Sequence, residues 1–526
     1  MKKRQWLMLG AYTALIVALS FFHEMWRDEV RAWTVATDAP SWGAMFAELH
    51  HEGHPALWYV VLRLGYLLTG SRFVLPVSAL LIAIGAAYVI LRYSPFPDWL
   101  KAFAVFGAFL GYELSVSARN YGIGVLLMVI ACALYPVRGR GPIPFALALA
   151  LLANTSVLGA IAAAVILGLW LLDSSSRRED APKSIAAALI VVAGIAIAFL
   201  MARPSADMTW ATPLSAIDPS KVLKSILIDP GKGLLGVAGA DLAAVSEYPW
   251  RLTPIDPLIA SRVVVDLCLL WLLWNLRSSV RAMIALIGAV VAFEIFFRNV
   301  YTGGLRHEGV LLFLIFAICW IAVATTDDAA KVRVRRQIVM GLAPLFAIQA
   351  LALPIFINRA ISHQQSSSKR FGEFIRENSR YRDAILVGEP DYVLESMPYY
   401  VGNRIYMARQ GEFARRVYFG ESRRRKDLTL SQLQEAAINL SCRYKVPVLL
   451  AIGAREFPDR REGTAQVSYR ATFTWTAAEK ARLRAEFPRV AWFGRANTDE
   501  VYQVFETPAC GATAASAPSS SGGNRQ

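Results

Sequence analysis

Residues 55–70, PALWYVVLRLGYLLTG, decide how this chain threads a membrane. The run is apolar enough to be taken for a crossing, yet it is short and carries Arg63. Leu57, Val60, Val61, Leu64, Leu67 and Leu68 fall on one face of a helix, the pattern of a helix lying flat at an interface. If these residues cross, Arg138 and Arg140 of PVRGRGP and the SSSRRED segment fall on the outer side. If they lie flat, every basic loop falls inside, where the Lys- and Arg-rich loops of membrane proteins collect. The flat helix is the better reading.

Outward from that stretch, the whole chain reads as a polytopic membrane protein. It has 526 residues, 55% of them apolar, and a mean hydropathy of +0.40, with the apolar residues in long blocks. A block of about 17–25 residues spans a hydrocarbon core of roughly 30 Å as a helix. The N-terminal MKKR and the run behind it resemble a signal peptide, but bulky FFHEMW follows where a small-residue cleavage site would stand, so the run reads as a retained first helix. With Lys2, Lys3 and Arg4 inside, eleven spans are predicted: 5–22, 73–92, 99–116, 120–136, 142–155, 157–172, 184–202, 259–276, 280–297, 309–325 and 337–357. The outer loops are then 23–72, Glu113–Arg119, 203–258 and RNVYTGGLRHEG, and the C-terminal part is outside. The net charge of +15 needs no nucleic-acid partner, because inside loops hold much of it; Arg423–Lys426 are suited to anionic lipid or to lipid-linked phosphate.

From about residue 358 the composition turns mixed polar. DAILVGE, VPVLLAIG and EVYQVFE read as strands, SQLQEAAINLSCRY and TAAEKARLRAEF as helices. The predicted organisation is a transmembrane module over 1–357, an extracytoplasmic α/β domain over 358–511 and a disordered Ser/Gly/Ala tail over 512–526. Cys132, Cys268 and Cys319 fall in apolar spans as packing residues; Cys442 and Cys510 can pair only if their domain is outside the cytoplasm.

This threading puts the polar residues hardest to explain as anchors on one face. They are Asp28 and Glu29 of WRDEVRAW, the histidines of HHEGHP, Arg119 to Tyr121 of SARNYG, Arg298, and Arg306, His307 and Glu308 of GLRHEG. Ionisable groups at a membrane are costly unless paired or hydrated, so a one-sided cluster points to a site. A carboxylate can take a proton from an acceptor, and arginines suit a phosphate leaving group. Each residue also has a plainer role. Asp28 and Glu29 suit a helix N-terminus, Arg119 and Arg306 suit head groups, and Glu294 and Arg298 stand four apart on one helix. His50, His51 and His54 sit on a turn and lack the HExxH spacing. No cofactor is assigned, and a divalent metal is left open without support from ligand spacing.

Four segments in order carry a family resemblance: RDEVRAW after the first span, GHPALWYVVLRL, SARNYGIGVLL and GLRHEGVLLFLIF. Together they resemble the GT-C-type glycosyltransferases, in particular the group of lipid A aminoarabinose transferases and protein O-mannosyltransferases. The resemblance implies a GT-C fold, an inner-membrane location with the C-terminal domain periplasmic, and transfer from a polyprenyl-phosphate-linked sugar to a lipid, glycan or protein acceptor. It also implies roles. Asp28 is the general base with Glu29 assisting; His54, Arg119, Arg306 and His307 contact the donor phosphate; Tyr121, Arg298 and Glu113 bind substrate. The second Pro of the family's signature before the interfacial helix is Ala56 here. Two other classes fit a polytopic chain: a transporter or flippase for polar or lipid-linked substrates, and an O-antigen-ligase-like transferase. The few charges within the spans, Asp266 and Glu294, and the absence of a repeat between the two halves tell against the transporter.

Overall fold

A computed structural model describes residues 1–173, 181–204, 257–508 and 510, less 302, 421, 456, 458, 459, 469 and 470, together with 219, 220 and 223. SSSRRED, most of the 203–258 loop and the 512–526 tail lie outside those residues. Helices α1 (Lys3–Ser20), α2 (Arg27–Asp38), α3 (Trp42–Glu52), α4 (Leu57–Thr69), α5 (Val74–Tyr93) and α6 (Asp98–Val105) come first. Then follow α7 (Asn120–Leu134), α8 (Ile143–Ala153), α9 (Val157–Leu171) and α10 (Ala181–Ala202). The helical part closes with α11 (Pro257–Asn275), α12 (Val280–Asn299), α13 (Leu305–Ala324) and the 35-residue α14 (Asp328–Ser362).

Among the described residues, six helices are long and apolar enough to cross a membrane, as in a multi-pass membrane protein: α5, α7 with the turn behind it, α10, α12, α13 and α14. The helix α4, on which the threading turned, has 13 residues. At 1.5 Å per residue it is about 20 Å long, short of the roughly 30 Å of a hydrocarbon core. Leu64, Leu67 and Leu68 form its exposed stripe, while Trp58, Tyr59, Leu62 and Arg63 turn inward. Arg63 is held inside the protein through one end of its guanidinium. It donates to the carbonyls of Ala36 and Ala39, both at 2.9 Å, and its guanidinium lies 5.1 Å from the Trp42 ring centre.

By contrast, α13 is buried on all sides, as a helix apolar all round must be, and α7, α9, α12 and α14 pack against it. The expected 99–116 span is not one helix. The α-helical run stops at Val105, and a wider π-type turn over Phe109–Glu113 follows. The carbonyl of Leu110 accepts from the Tyr12 hydroxyl at 2.8 Å, a side-chain partner for a group that a regular helix would bond along its own axis.

The chain divides into two compact units. One is made chiefly of residues 1–23 and 35–362, the other of Glu24–Thr34 and the residues from His363 onward. The second unit therefore includes the start of α2, which carries Asp28 and Glu29.

The second unit is α/β. Its main elements are α15 (Ser368–Glu377), β1 (Ile385–Glu389), β2 (Ile405–Met407), β3 (Glu412–Phe413), β4 (Asp427–Thr429), α16 (Leu430–Tyr444) and β5 (Val448–Gly453). They are followed by β6 (Gly463–Ser468), β7 (Ala471–Trp475), α17 (Ala477–Glu486), β8 (Arg489–Phe493) and β9 (Tyr502–Glu506). The larger sheet has the order β3-β2-β1-β5-β9-β8, with β1 parallel to both β2 and β5 and its remaining pairs antiparallel; a second sheet runs β4-β7-β6. Because side chains alternate along a strand, Ile385, Val387, Val448 and Leu450 pack with Leu433, Ala437 and Leu440 of α16. Leu386, Leu449, Ala451 and Val504 face the other way, against Phe371 and Ile375 of α15. A sheet covered on both faces explains why VPVLLAIG is apolar without alternation. Cys442 and Cys510 form a disulfide across a separation of 68 residues.

Candidate functional site

In the helical unit, residues from four distant segments gather around His307. Gly303 makes this possible: its backbone adopts a φ of +73°, and a Cβ there would lie 2.9 Å from the Phe297 ring. The turn delivers Gly304 as the cap of α13 and His307 as its third residue. The ring of His307 is 7% exposed and lies 4.8 Å from the Tyr121 ring and 5.1 Å from that of Tyr301, centre to centre. Its Nδ1 is 3.2 Å from the Gly304 carbonyl, which can only accept, so Nδ1 carries a proton. In the neutral ring Nε2 then accepts from the Tyr121 hydroxyl, 2.7 Å away.

Around this hydrogen bond stand two arginines and a second histidine. Arg306, Arg119 and His54 are all near enough to act electrostatically on the His307 ring. Arg119 is the N-cap of α7, next to Asn120, whose amide donates to the Thr155 carbonyl at 2.7 Å. His54 follows Gly53, whose φ of +66° ends α3 and turns the chain; its Nδ1 donates to the Glu52 carbonyl at 2.8 Å. Arg119, Arg306 and His54 are half-buried. A carboxylate joins them: Glu113, last residue of the π-type turn, lies 3.5 Å from Arg306. The first turns of α7 and α13 meet here as well, each adding the partial positive charge of a helix N-terminus. Two such termini and two arginines suit an anion with several oxygens, such as a phosphate.

The carboxylates of WRDEVRAW belong to the other unit. Glu29 is fully buried and accepts from the Trp26 backbone N–H at 3.1 Å, the reach-back of a capping residue. Asp28 keeps 33% of its side-chain surface exposed and lies 3.6 Å from the Arg27 guanidinium. A carboxylate with part of its surface exposed can take a proton from a substrate hydroxyl or amine. Arg298 pairs with Glu294 at 3.8 Å on α12. The histidines of HHEGHP do not converge: His50 faces the Arg203 carbonyl at 3.4 Å, His51 faces Glu48 at 3.6 Å, and His54 turns to Glu52. Among the described residues no group of three or more His, Cys, Asp or Glu is arranged to hold a metal ion.

Of the nine residues expected at a site, the fold gathers His54, Glu113, Arg119, Tyr121, Arg306 and His307 in the helical unit. Asp28 and Glu29 stand together in the second unit, and Arg298 stands with Glu294. The sequence reading passed over Arg27 and Arg31, which fasten the same helix. Arg27 donates to Asp499 at 2.6 Å and lies 4.4 Å from the Tyr392 ring; Arg31 pairs with the buried Glu395 and donates to the Val417 carbonyl at 3.1 Å. Their partners lie 364 or more positions away, so no local spacing announces them. No protein-family model matches the chain, and no curated protein matches it in sequence.

Proposed function

We propose that this chain is a membrane glycosyltransferase of the GT-C kind, moving a sugar from a polyprenyl-phosphate donor to an acceptor on the extracytoplasmic face. The acceptor is a hydroxyl or amine of a lipid, glycan or protein. One observation carries the proposal most of the way: the hydrogen bond between Tyr121 and His307 joins two segments 186 residues apart and brings Arg119 and Arg306 with them. Head-group anchoring calls for no such convergence, whereas holding a phosphate does.

In the proposed reaction the acceptor oxygen or nitrogen attacks the anomeric carbon from the face opposite the phosphate. The new glycosidic bond forms as the bond from carbon to phosphate oxygen breaks, with inversion. Its electron pair leaves with polyprenyl phosphate, and Arg119 and Arg306, beside the His307–Tyr121 pair, stabilise the charge that develops there. The acceptor proton goes to the Asp28 carboxylate, in the role the family resemblance gives it. The eleven-span threading with the N-terminus inside puts the C-terminal unit outside. The Cys442–Cys510 disulfide supports that side, since such bonds persist in oxidising compartments.

The test is transfer by the purified full-length protein from a mixed pool of polyprenyl-phosphate sugars, with Asp28→Asn alongside. Expected is transfer by wild type and a loss of at least about a hundredfold in the variant, with donor binding kept. Unchanged transfer in Asp28→Asn would remove the base assignment. No transfer by wild type from any donor would favour a transporter or a ligase.

A further inference from the structure

The segment that carries Asp28 is held by the C-terminal α/β unit, and the grip centres on one buried carboxylate. Glu500 is 0% exposed. Its Oε1 accepts from the Arg27 backbone N–H at 2.6 Å, at the first residue of α2 and one position before Asp28. Its Oε2 accepts from the hydroxyls of Ser366 and Ser368, the latter at 3.1 Å. Neighbouring contacts brace the same segment. Asp499 holds the Arg27 side chain at 2.6 Å, the Gln365 N–H donates to Glu24 at 2.8 Å, and the Tyr400 hydroxyl donates to the Met25 carbonyl at 2.8 Å. Glu395 takes Arg31 one turn further on.

Burying a carboxylate this completely is unfavourable unless its oxygens are used. Both oxygens of Glu500 are used, and one of them serves a backbone N–H at a helix start, which has no partner within its own helix. Stability of the α/β unit alone does not call for a grip on a segment more than 470 positions away in the chain. Fixing the direction of Asp28 does.

We propose that Glu500 is a positioning residue for Asp28, so that the C-terminal unit takes part in catalysis by orienting the general base. The inference rests on the reading of Asp28 as that base. Glu500 touches neither substrate nor reacting atoms; it acts through the backbone of Arg27.

The experiment uses the full-length protein in lipid nanodiscs and compares wild type, Glu500→Ala, Glu500→Gln and Glu506→Ala. Glu506 lies on β9 and bonds Arg380 and Tyr381, so its loss loosens the same sheet without reaching residues 24–34. Two quantities are read: kcat with KM for the donor, and hydrogen exchange of the peptide covering 24–34. In Glu500→Ala, kcat is expected to fall about 10- to 100-fold, the range for a catalytic group misplaced by about 1 Å, with KM unchanged. Exchange of the 24–34 peptide should rise with it. Glu500→Gln keeps an oxygen for the Arg27 N–H and should recover most of both, and Glu506→Ala should change neither. Wild-type kcat in Glu500→Ala would overturn the inference, as would an equal fall in Glu506→Ala or unaltered exchange at 24–34. If wild type transferred no sugar, the glycosyltransferase reading and this inference would fall together; the exchange data would still show separately whether Glu500 holds the segment.

Discussion

Breaking the bond between Cys442 and Cys510 should destabilise the C-terminal unit by about 4 kcal/mol. The bond ties the last turn of α16 to the chain just beyond β9 and closes a loop with a separation of 68 residues. A cross-link over n residues removes about 2.1 + 1.5R ln n cal/mol/K of entropy from the unfolded chain. For a separation of 68 that amounts to about 4 kcal/mol at 25 °C. A domain of this size loses roughly 2–4 °C of melting temperature per kcal/mol, so Cys442→Ala should melt roughly 8–16 °C lower. The assay is thermal unfolding of the full-length protein in detergent, followed by tryptophan fluorescence, to which Trp475 and Trp492 of this unit contribute. Cys442→Ala is compared with wild type, with and without reductant. Reductant should lower the wild-type transition to that of the variant and leave the variant unchanged. Equal melting temperatures in all four samples would refute the reasoning. Alkylation in intact cells tests the compartment: both thiols should be blocked before reduction, and free thiols there would place the unit in the cytoplasm.

Two further perturbations follow from buried charges. Burial pushes the Glu500 carboxyl up to about 7, against the help of Ser366 and Arg27. A raised pKa means that the folded state holds its proton more tightly than the unfolded chain. No stability is lost below about pH 4.5, and stability then falls as pH rises to about 7, by about 3 kcal/mol in all. Glu500→Gln should therefore gain on wild type in melting temperature between pH 5 and about 7, and a constant difference would contradict this. In the helical unit, Asp173 is bound by Arg138 at 2.5 Å and Arg281 at 3.1 Å, and its side chain is 4% exposed. Asp173→Asn removes a carboxylate that faces two guanidinium groups and should cost about 3–5 kcal/mol, read as a lower melting temperature of that unit. A change within error would show that water already screens the pair.

What could be read from the chain was what period and length encode. Apart from 99–116, the apolar blocks became helices near their expected positions, and the 13 residues of α4 kept their stripe of Leu64, Leu67 and Leu68 outward. DAILVGE, VPVLLAIG and EVYQVFE became the adjacent strands β1, β5 and β9. Other elements left too little signal. Strands of two or three residues, such as β3 and β4, carry no usable alternation, and the break after Val105 lies inside an unbroken apolar run. In the site, SARNYG and GLRHEG stood out as charges beside apolar spans, and the fold joins them through Tyr121 and His307. Arg27, Glu395 and Glu500 stayed hidden because each looks like an ordinary surface charge until its partner, several hundred positions away, is folded against it.

The most direct test of the central claim is the binding of polyprenyl phosphate and of the same lipid without its phosphate, measured on the purified protein in nanodiscs. If the cluster around His307 holds a phosphate, the phosphorylated lipid should bind far more tightly than the alcohol. Arg119→Gln and Arg306→Gln should each weaken it by about 10- to 100-fold, the loss of one charge-assisted hydrogen bond, and leave the alcohol unaffected. Equal binding of the two lipids, or arginine variants that bind the phosphate as wild type does, would contradict the claim and leave these residues as anchors of the membrane surface.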